Sequence, residues 1–237
     1  MHKITVDPAS LNLWRQIEGV TSAERPTRYS LAPARTALVV IDMQNGFCQP
    51  QYAGYFAQNV SIIPNINRLA RAMREAGGKV VWIQQTFRED EPRFRIPAWR
   101  REAFPQFQDR LQTTFERGAS AYELHADLDV REGDLRIEKT RWGAMMPNSS
   151  ELHETLQAAG IDTLIATGCA SDGCVESTVR EATMLDYKPI FVMDATATDS
   201  DESHNATIHT LNHIFLVDLV MTDTLVEQLK ASQREMA

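Results

Sequence analysis

The sequence predicts an α/β domain built on a mostly parallel sheet of six strands. Short, nearly continuous apolar runs recur along the chain, as expected of strands buried on both faces. The segments between them carry apolar residues at helical spacing, and alternating strand and helix favours parallel pairing. A chain of 237 residues with 43% hydrophobic and 24% charged content fits a single domain over 1–237.

Taken in order, the apolar runs lie at 37–41, 79–83, 134–137, 163–167 and 189–193, with a weaker sixth at 213–217. After the first, Ile62, Ile63, Ile66, Leu69, Ala70 and Met73 form one helical stripe, and Gly77-Gly78 supplies the left-handed stop. Leu152, Leu156 and Ala159 make a second stripe closed by Gly160, for which Asn148 or Ser149 is the expected cap. Val175, Val179, Ala182 and Leu185 make a third. Two regions break the rhythm. Residues 1–34 have no clear period and are expected to be an arm over the domain or toward a neighbouring subunit. The segment 86–131 is too long for an ordinary βα connection, and it is expected to be a lid or oligomer contact with a helix around 99–115. Its aromatic residues include Phe94, Trp99, Phe104, Phe107 and Phe115.

Charge and cysteine content narrow the function. Lys and Arg total 24 against 32 Asp and Glu, a net charge of −8, so the average surface repels polyphosphate and a nucleic-acid partner is not expected. Three cysteines, Cys48, Cys169 and Cys174, have no CxxC spacing and no even count, which argues against disulfides or a thiolate zinc site. No apolar stretch approaches the roughly 20 residues that span a bilayer, and Lys3, Asp7, Arg15, Glu18, Glu24 and Arg25 interrupt the beginning of the chain. A cytoplasmic protein without a membrane partner is the expectation.

In open parallel sheets, ligands bind beyond the carboxyl ends of the strands. There the first strand delivers Asp42 within VVIDMQNGF (39–47), the second Gln84-Gln85, and the third Lys139 within RIEKTRWG (136–143). The fourth runs into TGCASDGCVEST (167–178), which turns through Gly168 and Gly173 and is expected to start a helix at or near Cys174. A thiol at a helix N-terminus should ionise more easily. Asp, Lys and Cys then form a workable nucleophilic set: Cys174 attacks an acyl carbon, Asp42 moves the proton, and Lys139 holds the negative charge. Backbone N–H groups between Ala170 and Cys174 are placed to receive an oxyanion. Cys48 and Cys169 lack that position and are expected to pack inertly or to line the pocket.

These residues bear a resemblance. A strand ending in D-M-Q, a later strand ending in Lys, and G-x-x-x-x-x-C-V before a helix resemble the isochorismatase-like cysteine hydrolases, from about Thr36 to the final helix. The resemblance implies a doubly wound α/β/α sandwich with Asp42, Lys139 and Cys174 as catalytic triad. It also implies a cis peptide between Cys169 and Ala170, with the N–H groups of Ala170 and Cys174 as the oxyanion hole. True isochorismatases have a small non-nucleophilic residue at the place of Cys174, so the thiol here favours C–N hydrolysis. Nicotinamidases of the family hold a metal through an Asp-x-His element, whereas QQTFREDEPRF (84–94) has no histidine, and no metal or other cofactor is expected. His209 and His213, four residues apart, are read as structural, with one near the start of the sixth strand.

The resemblance leads most closely to amidohydrolases of carbamoyl and ureido compounds, such as N-carbamoylsarcosine amidohydrolase and ureidoacrylate hydrolase. The expected partner is a small amide or ureido substrate, which can carry a carboxylate. Gln84, Gln85, Arg141, Trp142 and Phe47 are the candidate substrate-binding residues. Arg93, Arg95, Arg100 and Arg101 lie between Glu91 and Glu102 with no acid among them, and an arginine suits a carboxylate clamp. Relatives commonly form homodimers or homotetramers, which is the expected assembly. Two alternatives remain: a cysteine hydrolase of a lactam or ester on the same triad, and a catalytically silent interaction protein that keeps the fold.

Overall fold

Six parallel strands run in the order β3-β2-β1-β4-β5-β6. They are β1 (Thr36–Ile41), β2 (Lys79–Gln85), β3 (Leu135–Lys139), β4 (Thr163–Cys169), β5 (Lys188–Ala197) and β6 (Asp218–Val220). This computed structural model describes residues 3–7, 27–88, 90–95, 97–103, 105 and 114–236. The helices are α1 (Asn45–Cys48), α2 (Ala57–Ser61), α3 (Ile63–Glu75), α4 (Ala98–Ala103), α5 (Leu152–Ala158), α6 (Glu176–Met184), α7 (Asp201–His213) and α8 (Thr222–Met236).

The chain lays down β1, β2 and β3 in one direction, then returns to place β4 on the other side of β1. That reversal puts α3 and α8 on one face and α5, α6 and α7 on the other, the arrangement that right-handed crossovers require. The pleat explains how β1 serves both cores. Leu38 and Val40 join Ile66, Leu69 and Met73 of α3, while Ala37, Val39 and Ile41 join Leu152, Val179 and Leu211 on the opposite face. Every β1 residue is buried, hence its unbroken apolar run.

One buried polar group inside this frame is tied to the edge of the sheet. Trp82 is fully buried, and its indole N–H donates to Asp134 Oδ2 at 2.8 Å; Arg74 donates to the same carboxylate. Truncating Trp82 to Ala would cost about 3–5 kcal/mol through lost apolar burial and the cavity left behind. Gly77 and Gly160 take φ of 81° and 68° and end α3 and α5, as expected of residues without a Cβ. The start of α5 differs from expectation: Ser150 Oγ, not Asn148 or Ser149, accepts from Leu152 N–H at 3.0 Å. Ser149 instead donates to the Gly143 carbonyl.

The sixth strand is also displaced. The segment 213–217 is not a strand, because α7 runs through His213, and β6 occupies Asp218–Val220. Buried His204, Thr207, Ile208 and Leu211 keep the helix on the sheet, and the chain reverses at Leu216 with φ 51° while Val217 N–H closes onto Leu211 O. The apolar run of Ile214 and Phe215 is thus the tail of a helix and its turn. His209 and His213 both lie on α7, their rings stacked 5.6 Å apart.

Of the N-terminal arm, residues 3–7 follow α7 of their own chain: Thr5 N–H donates to Asp201 Oδ1 and Asp7 N–H to Asn205 Oδ1, both at 2.8 Å. Residues 8–26 lie outside the described residues. Of the helix expected around 99–115, the structure describes α4 at Ala98–Ala103; Phe104 and Phe107 lie outside the described residues. Phe94 and Phe115 are buried and Trp99 is exposed. No helix among the described residues is long and apolar enough to cross a membrane.

Candidate active site

At the switch point, where β1 and β4 lie side by side, the sheet edge is shaped by two residues with positive φ. Asp42 takes φ 55° directly after β1, with its N–H still bonded to Ile83 O at 3.1 Å. Gly168, at φ 104°, lets β4 approach β1 so closely that a Cβ there would sit 2.1 Å from Ile41 O. Between Ala166 and Gly168 the register between β4 and β5 slips, and past Gly168 the peptide between Cys169 and Ala170 is cis, as the resemblance implies.

The chain then makes a π-helical turn at Ser171–Val175, where the N–H groups of Gly173 and Val175 both bond to Ala170 O at 3.1 Å. Cys174 therefore belongs to this turn, and α6 begins two residues later at Glu176. Side chains fasten the turn from three directions. Thr198 Oγ1 donates to Asp172 Oδ1 at 2.7 Å, Thr178 Oγ1 to Cys174 O at 2.7 Å, and Ser171 Oγ lies 2.8 Å from His204 Nδ1. Burial holds the His204 pKa down at about 4, so the ring stays neutral beneath the turn.

Asp42, Lys139 and Cys174, predicted from three separate strand ends, come together. Lys139 Nζ lies 2.8 Å from Asp42 Oδ2 and 3.3 Å from Cys174 Sγ, with both members of the ion pair at 0–1% exposure. Lys139 also donates to Gln85 Oε1 at 2.8 Å and to Arg141 O at 3.0 Å, which fixes the ammonium. The Cys174 thiol and the Asp42 carboxylate act on each other's ionisation.

Burial opposes the charge on Lys139, but the facing Asp42 and Cys174 overcome it and raise its pKa, so the ammonium persists. Asp42 is raised by burial, which the neighbouring lysine only partly offsets. The expectation that Cys174 ionises easily is corrected. Its thiol is pushed up to about 12, first by burial and then by the adjacent carboxylate, which outweigh Lys139 and any help from a helix end. The resting site holds a protonated thiol against a carboxylate able to take its proton. Cys169 is also driven upward by burial and donates to Asp42 O at 3.3 Å; Cys48 is buried with its pKa pushed up to about 12. Both fit inert packing, one of the two roles expected of them.

The candidate substrate-binding residues fall into different positions. Gln85 grips Lys139, whereas Gln84 turns its amide to Tyr122 O at 3.0 Å and anchors the insertion. Phe47 stacks on Phe115 with centroids 4.6 Å apart. Arg141 donates to the carbonyls of Phe94 and Arg95, so its guanidinium ties the insertion to the loop after β3. Trp142, 53% exposed, is covered on one face by Arg100 of α4, whose guanidinium carbon is 4.1 Å from the ring centroid.

Residues not singled out from the sequence complete the support. Gln44 donates to Gln85 O at 3.1 Å and to Tyr122 O at 2.8 Å, and accepts from Gln85 N–H at 2.7 Å. It welds the β1 loop, the β2 end and the insertion together. Its signal was present in the D-M-Q element, where it stands two residues after Asp42. Glu181 and Thr178 of α6 hold Met145 and Ala144 N–H, and Gly143 leaves room for the Glu181 carboxylate. Among the described residues, no three His, Cys, Asp or Glu side chains gather as a metal site.

Comparison with known proteins agrees with this fold. Residues 36–223 match the isochorismatase domain family. The chain belongs to the isochorismatase family. This isochorismatase-family hydrolase is 33% identical over 187 residues to the ureidoacrylate amidohydrolase RutB of Caulobacter vibrioides, covering 73% of this chain and 81% of that protein. It is also 33% identical over 181 residues to a probable inactive nicotinamidase of Arabidopsis thaliana, covering 76% and 89%. In fold it resembles a cysteine hydrolase from Pseudomonas syringae pv. phaseolicola, with a TM-score of 0.76 and 24% identity over 87% of this chain and 97% of the other.

Proposed function

We propose that this isochorismatase-family hydrolase is a cysteine amidohydrolase that cleaves the C–N bond of a small amide, carbamoyl or ureido compound and releases ammonia. The observation that carries the reading is the contact set of Lys139 with Asp42 at 2.8 Å and with Cys174 at 3.3 Å at the carboxyl edge of the sheet. Likeness to a ureidoacrylate amidohydrolase supports the bond type.

In this reading Asp42 accepts the Cys174 proton as Sγ attacks the acyl carbon, and the oxyanion is received by the N–H groups of Ala170 and Cys174. Asp42, now protonated, hands that proton to the departing nitrogen, and a thioester remains on Cys174. Water then attacks the thioester, Asp42 takes the water proton, and the acid product leaves as the thiol is restored. The raised pKa of Asp42 suits a group that both accepts and returns a proton, while Lys139 keeps its charge throughout. No step requires a cofactor.

The test is an ammonia-release screen over carbamoyl amino acids, ureidoacrylate-like compounds, biuret and simple carboxamides, with matched lactams and esters. Release from an amide or ureide that disappears in Cys174→Ala supports the reading. Turnover confined to lactams or esters, full activity in Cys174→Ala, or no turnover with any compound overturns it.

A further inference from the structure

Among the described arginines of the insertion, Arg100 stands apart. Arg88, Arg93 and Arg117 each pair with a carboxylate, from Glu91, Glu154 and Glu138 respectively. Arg100 is only 8% exposed and makes no ion pair among the described residues. Its guanidinium lies on the face of Trp142, in the loop whose Arg141 carbonyl holds Lys139 Nζ. A buried guanidinium normally finds an anion, because stacking on an indole leaves its in-plane N–H donors unsatisfied.

We infer that Arg100, seated on Trp142, is a specificity-determining residue that receives a carboxylate of the substrate while the amide carbon lies at Cys174. The inference deepens the amidohydrolase reading and rests on it for the reacting bond. The planar N–H fork suits bidentate capture of a carboxylate, and withdrawal from water strengthens that contact. Placing the anchor on the insertion separates recognition from the Asp42, Lys139 and Cys174 set on the sheet.

The experiment needs no known substrate. Alkylation of Cys174, in which sulfur displaces iodide, is timed with iodoacetate and N-iodoacetylglycine against their neutral partners iodoacetamide and N-iodoacetylglycinamide. Each acid-to-amide rate ratio is divided by that of free glutathione. For at least one of the two spans, the wild-type ratio should exceed the solution ratio about tenfold or more, and Arg100→Met should remove most of that preference. Arg100→Lys should keep part of it, since a point charge without the fork retains attraction but loses geometry. The thermal transition of each variant, together with the lysine variant, guards against reading misfolding as lost recognition. A wild-type ratio equal to that in solution, or a preference retained in Arg100→Met, overturns the inference. An Arg100-dependent preference in a protein that releases no ammonia would sink the amidohydrolase reading alone. Ammonia release without that preference would sink only the anchor.

Discussion

At the carboxyl edge of the sheet, Asp42 and Lys139 are attached to β1 and β3, and Cys174 to the turn that follows β4. The insertion between β2 and β3 is tied down differently, by side chains that reach main-chain carbonyls: Gln44 and Gln84 to Tyr122, Arg141 to Phe94 and Arg95, and Thr86 to Phe115. The first region has its charges buried and paired; the second has most of its charges at the surface. The contrast separates two tasks. A proton relay needs fixed distances, which strand ladders supply, whereas substrate choice needs a cover that can vary without disturbing those ladders.

Breaking the buried pair should give the largest effect. Lys139→Met should lower turnover by about 10³-fold or more. It should also cost about 3–5 kcal/mol of stability, because Asp42 is left as an unpaired buried carboxylate. Acid should relieve that cost by protonating Asp42, and the double variant Asp42→Asn with Lys139→Met should regain stability without regaining turnover. Parallel urea titrations and rate measurements check this. Gly168→Ala comes next, at about 3 kcal/mol or more, since φ 104° disfavours a side chain and the added Cβ would press on Ile41 O.

The support beneath the turn should show as a pH dependence. His204 has a folded pKa of about 4 against an ordinary 6.5, so between those values the unfolded chain binds more protons than the folded one. Its contribution is fully present above pH 6.5 and is lost as pH falls to about 4, by at most about 3 kcal/mol. His204→Gln should flatten the stability profile across that window in denaturant melts. The smallest effect belongs to the insertion surface. Arg117→Ala, which removes a largely exposed partner of Glu138, should change stability by no more than about 1 kcal/mol.

The sequence was most legible where one physical rule dominates. Full burial of β1 leaves only an apolar run, and the carboxyl-edge rule then locates Asp42, Lys139 and Cys174 from three separate segments. It was less legible where two rules compete. Ile214, Phe215 and Val217 read as a strand, but the stripe of α7 extends to His213 and displaces β6 to Asp218–Val220. Cys174 reads as an easily ionised thiol at a helix start, but burial and Asp42 outweigh that location. Gln84 and Gln85 look alike in sequence, yet adjacent strand residues face opposite sides, so one holds the insertion and the other Lys139. Arg100 carries no sequence mark that separates it from Arg93 or Arg95; only its burial against Trp142 does.

The central claim, that Cys174 carries the acyl group while Asp42 and Lys139 serve it, is tested most directly by intact-protein mass measured on samples acid-quenched during turnover. The account predicts an added mass equal to the acyl group, mapped to the peptide containing Cys174 and absent from a Cys174→Ala protein that also releases no ammonia. Ammonia release by Cys174→Ala at the wild-type rate, or an acyl group mapped to another residue, would contradict it.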